Sequence, residues 1–313
     1  MHSISRRRFV SLAAAGVVAA PTALKALPSA GALTAQDVVD RIKKNIGVDW
    51  KADSADTFKA GDPSAAVTGI VTTALASLDV LGQAVKAGAN MIVTSEPTFF
   101  AHADTPTPPA RRFPRTAGAP PEAAPAAPQP PDPVFAAKDE FIRKHNLIVW
   151  RFSDHWRQRT PDPFAQGLAN VLGWSKSAGG DPRQLTIAQT SLDALVSHVK
   201  QSLKSRGGIR VVGDPKLHVG KVAILPGSTP IQASLKALPR VDTILAGEVR
   251  EWESVEYVRD TIDIGSKKSL VLVGRIVSEE PGMQLCATWL KTIVPELKTS
   301  WVAVPDPYWR PTV

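Results

Sequence analysis

Only one cysteine, Cys286, occurs in 313 residues. A lone thiol excludes an internal disulfide framework and any cysteine-ligated zinc or iron–sulfur centre. Aromatic residues are sparse at 6%, although eight of them are tryptophan. The chain carries no P-loop and no dinucleotide-binding glycine fingerprint, and no serine sits in a G-x-S-x-G elbow. No apolar run reaches the roughly 20 residues needed to cross a bilayer as a helix. These absences remove nucleotide-loop enzymes, dinucleotide dehydrogenases and serine hydrolases of the elbow type from consideration.

The rest of the composition is that of a globular protein, with 43% hydrophobic and 21% charged residues. The formal charge of +8 suggests a nucleic-acid partner until its location is considered. Residues 5–10, Ser-Arg-Arg-Arg-Phe-Val, open an Ala-rich apolar stretch from Phe9 to Ala20, and Ala30-Gly31-Ala32 follows as a cleavage-like site. This pattern reads as a twin-arginine export signal over residues 1–32, and hence as a periplasmic or extracytoplasmic destination. Arg6, Arg7, Arg8 and Lys25 leave with it and no acid does, so the mature charge falls to +4. No cluster of basic residues interleaved with aromatics remains, so nucleic acid is not an expected partner. After signal removal no membrane span is expected.

Short β-branched runs alternate with amphipathic segments, which predicts an α/β protein with a largely parallel core. Thr34 caps a helix to Asn45, Ser77 caps another to Lys86, and Pro133 to His145 is helical. Strands are expected at Val67–Ala74, Met91–Thr94, Leu147–Phe152, Val219–Leu225, Thr243–Ala246 and Leu270–Val273. Helices are expected at Pro163–Leu172, Trp252–Ile264 and Pro281–Ile293, the last capped by Ser278. The stretch 105–133 holds eleven prolines. It is too poor in large apolar side chains to offset its ordering entropy, and reads as an extended or disordered insert, a solvated spacer in preference to a lid. The organisation is therefore 1–32 signal, 33–104 first part of the folded domain, 105–133 insert, and 134–313 the remainder.

Ligands of open α/β sheets bind beyond the carboxyl ends of the strands. Three such ends are rich in polar residues: Thr94 to His102, Ser153 to Arg157, and Gly274 to Met283. A fourth, Gly247 to Glu253, also follows a strand. With Val67–Pro97, Asn146–Trp174 and Asp242–Lys291, including the runs GEVREWE and VSEEPGM, the chain resembles the Nif-three-like dinuclear metal-centre family, whose members are also called GTP cyclohydrolase I type 2 homologs. The resemblance extends from about Ala35 to the C-terminus around the insert. It implies a two-lobed α/β fold with mixed, largely parallel sheets flanked by helices, assembled as a hexameric ring. It also implies two metal ions between the lobes, held by histidines and carboxylates of the three strand ends, and metal-dependent hydrolysis of a nucleotide-like substrate.

The chain departs from that pattern where the metals would sit. Ser95 and Glu96 stand where the family has histidine before the proline. The second motif reads Ser153-Asp154-His155-Trp156-Arg157, with Arg157 in a histidine place. Arg275, four residues before Glu279, replaces the third motif's histidine. Among these positions only Glu96 and Glu279 keep groups able to ligate a divalent ion. A guanidinium has no lone pair to give a metal, but two of them balance two carboxylates and form good bidentate pairs. The expectation is Arg157 and Arg275 set against Glu96 and Glu279, a degraded dinuclear site, and a ligand-binding or scaffold protein. Arg157, Arg275 and Glu251 would face a small anionic ligand, and the chain would form a homo-oligomer. The alternative is a metal-dependent hydrolase with a rearranged site. Glu96 and Glu279, with His102, Asp154 and His155 as weaker ligands, would then hold a single zinc, iron or manganese ion.

Overall fold

The computed structural model describes residues 31–100, 104, 132–177, 181–204 and 208–309. Residues 1–30 of the expected signal and 105–131 of the proline-rich insert lie outside them. The chain enters on helix α1, Ala35–Asn45, whose capping box is complete: Thr34 Oγ1 accepts from the Asp37 amide, and the Asp37 carboxylate accepts from the Thr34 amide. An edge strand β1, Phe58–Ala60, precedes β2, Ile70–Thr73, helix α2, Leu78–Lys86, and β3, Met91–Thr94. Helix α3, Pro133–Lys144, begins where Asp132 accepts from the Val134 and Phe135 amides. It leads to β4, Ile148–Arg151, then to helices α4, Asp154–Gln158, and α5, Pro163–Val171.

The second half runs β5, Gln184–Ser191; α6, Leu192–Ser202; β6, Arg210–Val212; β7, His218–Ser228; α7, Ile231–Ala237; and β8, Thr243–Glu248. It continues with α8, Glu256–Asp263; β9, Ser269–Leu272; α9, Arg275–Ile293; and β10, Thr299–Trp301. Two five-stranded sheets result, ordered β1-β4-β3-β2-β10 and β5-β7-β8-β9-β6. In the first only β1 is antiparallel, and in the second only the outer strands β5 and β6 are. Strands β2, β3, β4 and β9 are buried at every position, as expected of parallel strands covered on both faces. The fold class is the expected one, an α/β fold with two mixed, largely parallel sheets flanked by helices.

Helix α9 links the two halves, because it packs on β2 and β10 of the first sheet and on β7 and β8 of the second. Its contact with α5 is a close one. A Cβ on Gly167 would stand 2.5 Å from the carbonyl carbon of Pro281, so only glycine lets the two backbones approach. Trp150, Phe152, Trp156 and Phe164 fill the core beside it, each essentially inaccessible to solvent.

Two sequence expectations need correction. Helix α9 starts at Arg275 and not at Pro281. Proline in the second turn removes only its own bond to the carbonyl four residues earlier, so the helix runs through it. Ser278 is therefore no cap: its hydroxyl donates to the Arg275 carbonyl at 2.6 Å and accepts from the Gly227 amide at 2.9 Å. The helix expected over Trp252–Ile264 is a π-helical turn, Glu251–Val255, followed by α8. Strand β1 and helix α4 were not expected at all. Each is five residues or shorter and has no periodicity to read.

Candidate functional site

The carboxyl ends of the parallel strands of both sheets converge. Glu96 follows β3, Arg157 lies on α4 just after β4, Glu248 ends β8, and Arg275 opens α9 after β9. Glu279 sits one turn further along α9, on the face that Arg275 shares. Glu96, Arg157, Arg275 and Glu279, together with Arg151 and Arg183, line a cleft of about 310 Å³ between the sheets.

Arg275 grips Glu96 with two bonds, Nε to Oε1 at 2.8 Å and Nη2 to Oε2 at 2.7 Å. Its third nitrogen, Nη1, reaches Glu248 Oε1 at 3.2 Å. A cation at the first position of a helix opposes the positive end of the helix dipole, and the carboxylates supply the compensation. Burial disfavours the Arg275 cation, yet Glu96, Glu279 and Glu248 outweigh burial and hold its pKa above the ordinary value. Arg157 donates from Nη2 to Glu279 Oε1 at 2.7 Å and from Nη1 to the Pro226 carbonyl at 3.3 Å. Its guanidinium lies 4.2 Å from the centre of the Phe164 ring.

Glu279 is 2% exposed and Glu96 6%. Burial first, and then the neighbouring negative charge of Glu96, push the Glu279 carboxyl up to about 8, against the opposing pull of Arg157. At neutral pH the Glu279 carboxyl therefore keeps its proton. Ser95 Oγ lies 3.2 Å from Glu279 Oε2 and 3.1 Å from the Ala74 carbonyl. Gly227, at φ +85°, is needed here, because a Cβ would collide with the Glu279 carboxylate and stand 3.2 Å from Arg157 Nη2. The irregularity near the end of β7 thus closes one wall of the cleft.

The other sequence candidates go elsewhere. His155 is fully buried under Trp50, with ring centres 3.7 Å apart. Its Nε2 accepts from the Lys51 amide at 2.8 Å, which makes Nδ1 the protonated nitrogen, donating to Asp56 Oδ2 at 2.8 Å. Both ring nitrogens are thus committed, and His155 has no lone pair to offer a metal. Asp154 accepts from the Ala55 amide at 2.8 Å. These two residues fasten the loop before β1 to α4, and the structure does not bring them to Glu96 and Glu279. Glu251 lines neither this cleft nor the larger one beside it; it is exposed and ion-paired with Arg210. His102 lies outside the described residues.

Sequence reasoning missed Glu248, Arg151 and Arg183. Glu248 stands at a strand end inside the polar segment 247–253, so its position was a readable signal, but Glu251 was chosen in its place. Arg151 ends β4 and donates from Nε to the Ser95 carbonyl at 3.2 Å. Arg183 gave no signal; it is held by Asp162 through Nε at 3.2 Å and Nη2 at 2.8 Å.

The donor set does not suit a metal pair. Glu96, Glu248 and Glu279 already meet guanidiniums, and the imidazole at position 155 is committed to its neighbours. Among the described residues no group of three or more His, Cys, Asp or Glu side chains is arranged to hold a metal ion. What remains is a cleft with fixed cationic donors around a buried carboxylate pair.

Residues 163–306 match the family model Duf34/NIF3 (NGG1p interacting factor 3). No curated protein matches the chain. Among solved structures, the Bacillus cereus protein related to NIF3 is similar at a TM-score of 0.64 with 14% identity, over 89% of this chain and 99% of that one. The Staphylococcus aureus protein SA1388 is similar at 0.63 with 14% identity, over 89% and 99%. Reduced HcgD from Methanocaldococcus jannaschii is similar at 0.54 with 14% identity, over 87% and 97%. At such identities the likeness is one of fold.

Proposed function

We propose that this chain, whose residues 163–306 match the NIF3 family model and whose fold is similar to that of a protein related to NIF3, binds a small anion in an arginine-lined cleft in place of a metal pair. One observation carries the reading: Arg275 closes on Glu96 through two hydrogen bonds while Arg157 closes on Glu279. The two guanidiniums occupy the places where the Nif-three-like resemblance would put metal-binding imidazoles. They supply the positive charge that the buried carboxylates need, without an ion. Arg157 and Arg275 remain about one-third exposed, so N–H groups not used on the carboxylates face the cleft. A small oxyanion entering it meets these donors and the Arg151 and Arg183 guanidiniums.

The proposal includes export through the twin-arginine signal of residues 1–32, a periplasmic or extracytoplasmic location, and a homo-oligomer, a hexamer by the family resemblance. No hydrolytic step is assigned. The fixed guanidiniums of the pocket suit recognition of negative charge.

Elemental analysis of the purified protein tests the central point. Sub-stoichiometric zinc, iron and manganese are expected, together with inorganic phosphate binding that an E96Q/R275Q variant weakens. Two tightly held equivalents of metal per chain would overturn the reading. A second test replaces Ser95, Arg157 and Arg275 together by histidine. Gain of metal uptake is expected, because the carboxylates and the strand ends that frame the cleft are retained.

A further inference from the structure

A larger cleft, of about 720 Å³, adjoins the first and shares Arg157, Asp162 and Arg183 with it. Its cations differ in one respect. Arg157 is hydrogen-bonded to Glu279, and Arg183 is ion-paired with Asp162. Arg159 has no carboxylate within ion-pair distance among the described residues, and its guanidinium makes no hydrogen bond to them. It lies instead on two indoles, 5.1 Å from the ring centres of both Trp156 and Trp289. The indole faces hold the guanidinium in one orientation. Burial against them disfavours its charge and lowers its pKa, and no nearby carboxylate restores it. A partly desolvated, un-neutralised cation is costly to keep. Here it borders a cavity large enough for a small molecule.

We propose that Arg159 is an anion-binding residue of the larger cleft, and that the ligand is a small molecule with two oxyanion groups, one on Arg159 and one reaching Arg157 at the wall shared with the smaller cleft. For its second contact this inference rests on the anion-site reading given above. The planar guanidinium, backed by indole on one side, presents its N–H edge for a two-point grip on a phosphate or carboxylate. Lys51, on the rim of the same cleft, adds positive charge. Asp53, Asp154 and Asp181 also line it and would repel a second negative group placed away from the arginines, which favours a ligand whose two charges both lie along the Arg157–Arg159 side.

Calorimetric titration of the purified protein with inorganic pyrophosphate, and separately with succinate, tests the proposal and distinguishes phosphate from carboxylate ligands. One of the two should bind, and R159Q should weaken that binding about tenfold or more, the size expected for loss of charge-assisted bonds. R159K, which keeps the charge and loses the fork, should fall between. Binding should also change the tryptophan fluorescence of the wild type, since Trp156 and Trp289 lie against the responding group, and R159Q should abolish that change. Unaltered affinity and fluorescence response in R159Q would overturn the proposal. So would failure of both probes to bind the wild type at millimolar concentration. If E96Q/R275Q weakens phosphate binding while R159Q alters nothing, the smaller cleft remains an anion site and only the role of Arg159 falls.

Discussion

Replacing Glu279 by glutamine should make the protein's stability less sensitive to pH. In the fold the Glu279 carboxyl titrates at about 8, against an ordinary value of 4.5. Between those values the folded chain holds a proton that the unfolded chain has released. Stability therefore falls as pH rises through this window, by about 1.4 kcal/mol per pH unit while the difference persists. Below the ordinary value both states are protonated and the penalty vanishes. Glutamine keeps an oxygen for Arg157 Nη2, and its amide can donate to the Ser95 hydroxyl, which still reaches the Ala74 carbonyl. It has no proton to lose. Urea unfolding of wild type and E279Q at pH 5.5 and 7 should show the variant gaining about 2 kcal/mol relative to wild type across that interval. Parallel pH profiles for wild type and E279Q would refute the claim that the buried pair carries a proton at neutral pH.

Three other substitutions probe the frame of the site. R275M should destabilise by about 2 kcal/mol, since it leaves the buried Glu96 carboxylate uncompensated, and adding E96Q should recover more than half of that loss in a double-mutant cycle. D56A should cost about 3 kcal/mol or more in urea unfolding, because Asp56 is buried and accepts from the amides of Ser153, Asp154 and His155 and from His155 Nδ1; D56N should cost less. G167A should destabilise by about 1–3 kcal/mol by forcing α5 away from the Pro281 backbone, and thermal unfolding of the variant measures it.

Much of the fold could be read because its signals are local. Caps at Thr34 and Ser77 and four-residue buried strands such as Met91–Thr94 announce themselves through hydrogen-bonding side chains and β-branched runs. The start of α9 could not be read, because Pro281 looks like a first-turn proline while the true start, Arg275, carries a charge that opposes the helix dipole and is tolerated only through Glu96 and Glu248. At the site, strand-end position marked the polar segments, and the family resemblance singled out Glu96, Arg157, Arg275 and Glu279 within them. The role of Asp56 was not readable. It acts as a cap for α4 from 97 to 99 residues away in the chain, and such non-local capping leaves no pattern in the neighbouring sequence. The hydrogen bonds of His155 leave no local signal for the same reason, since its partners, Lys51 and Asp56, belong to a loop that precedes it by some hundred residues.

The charge balance of the smaller cleft gives the proposed exchange of metals for arginines a physical logic. Glu96 and Glu279 are too buried to be left alone as two ionised carboxylates. A pair of divalent ions would ionise both and leave positive charge to bind water or substrate. Two guanidiniums and one retained proton balance the carboxylates by another route, and Glu248 accepts from a further N–H of Arg275. The routes differ in what they leave available. A metal offers empty coordination positions, whereas a guanidinium held by a carboxylate offers only its outward N–H bonds. These recognise an oxyanion by shape and charge. It follows that removing both members of one pair, as in E96Q/R275Q, should preserve the fold while weakening anion binding. Removing Arg275 alone should impair both, and thermal unfolding beside phosphate titration of the two variants separates the structural role of the arginine from its role in binding.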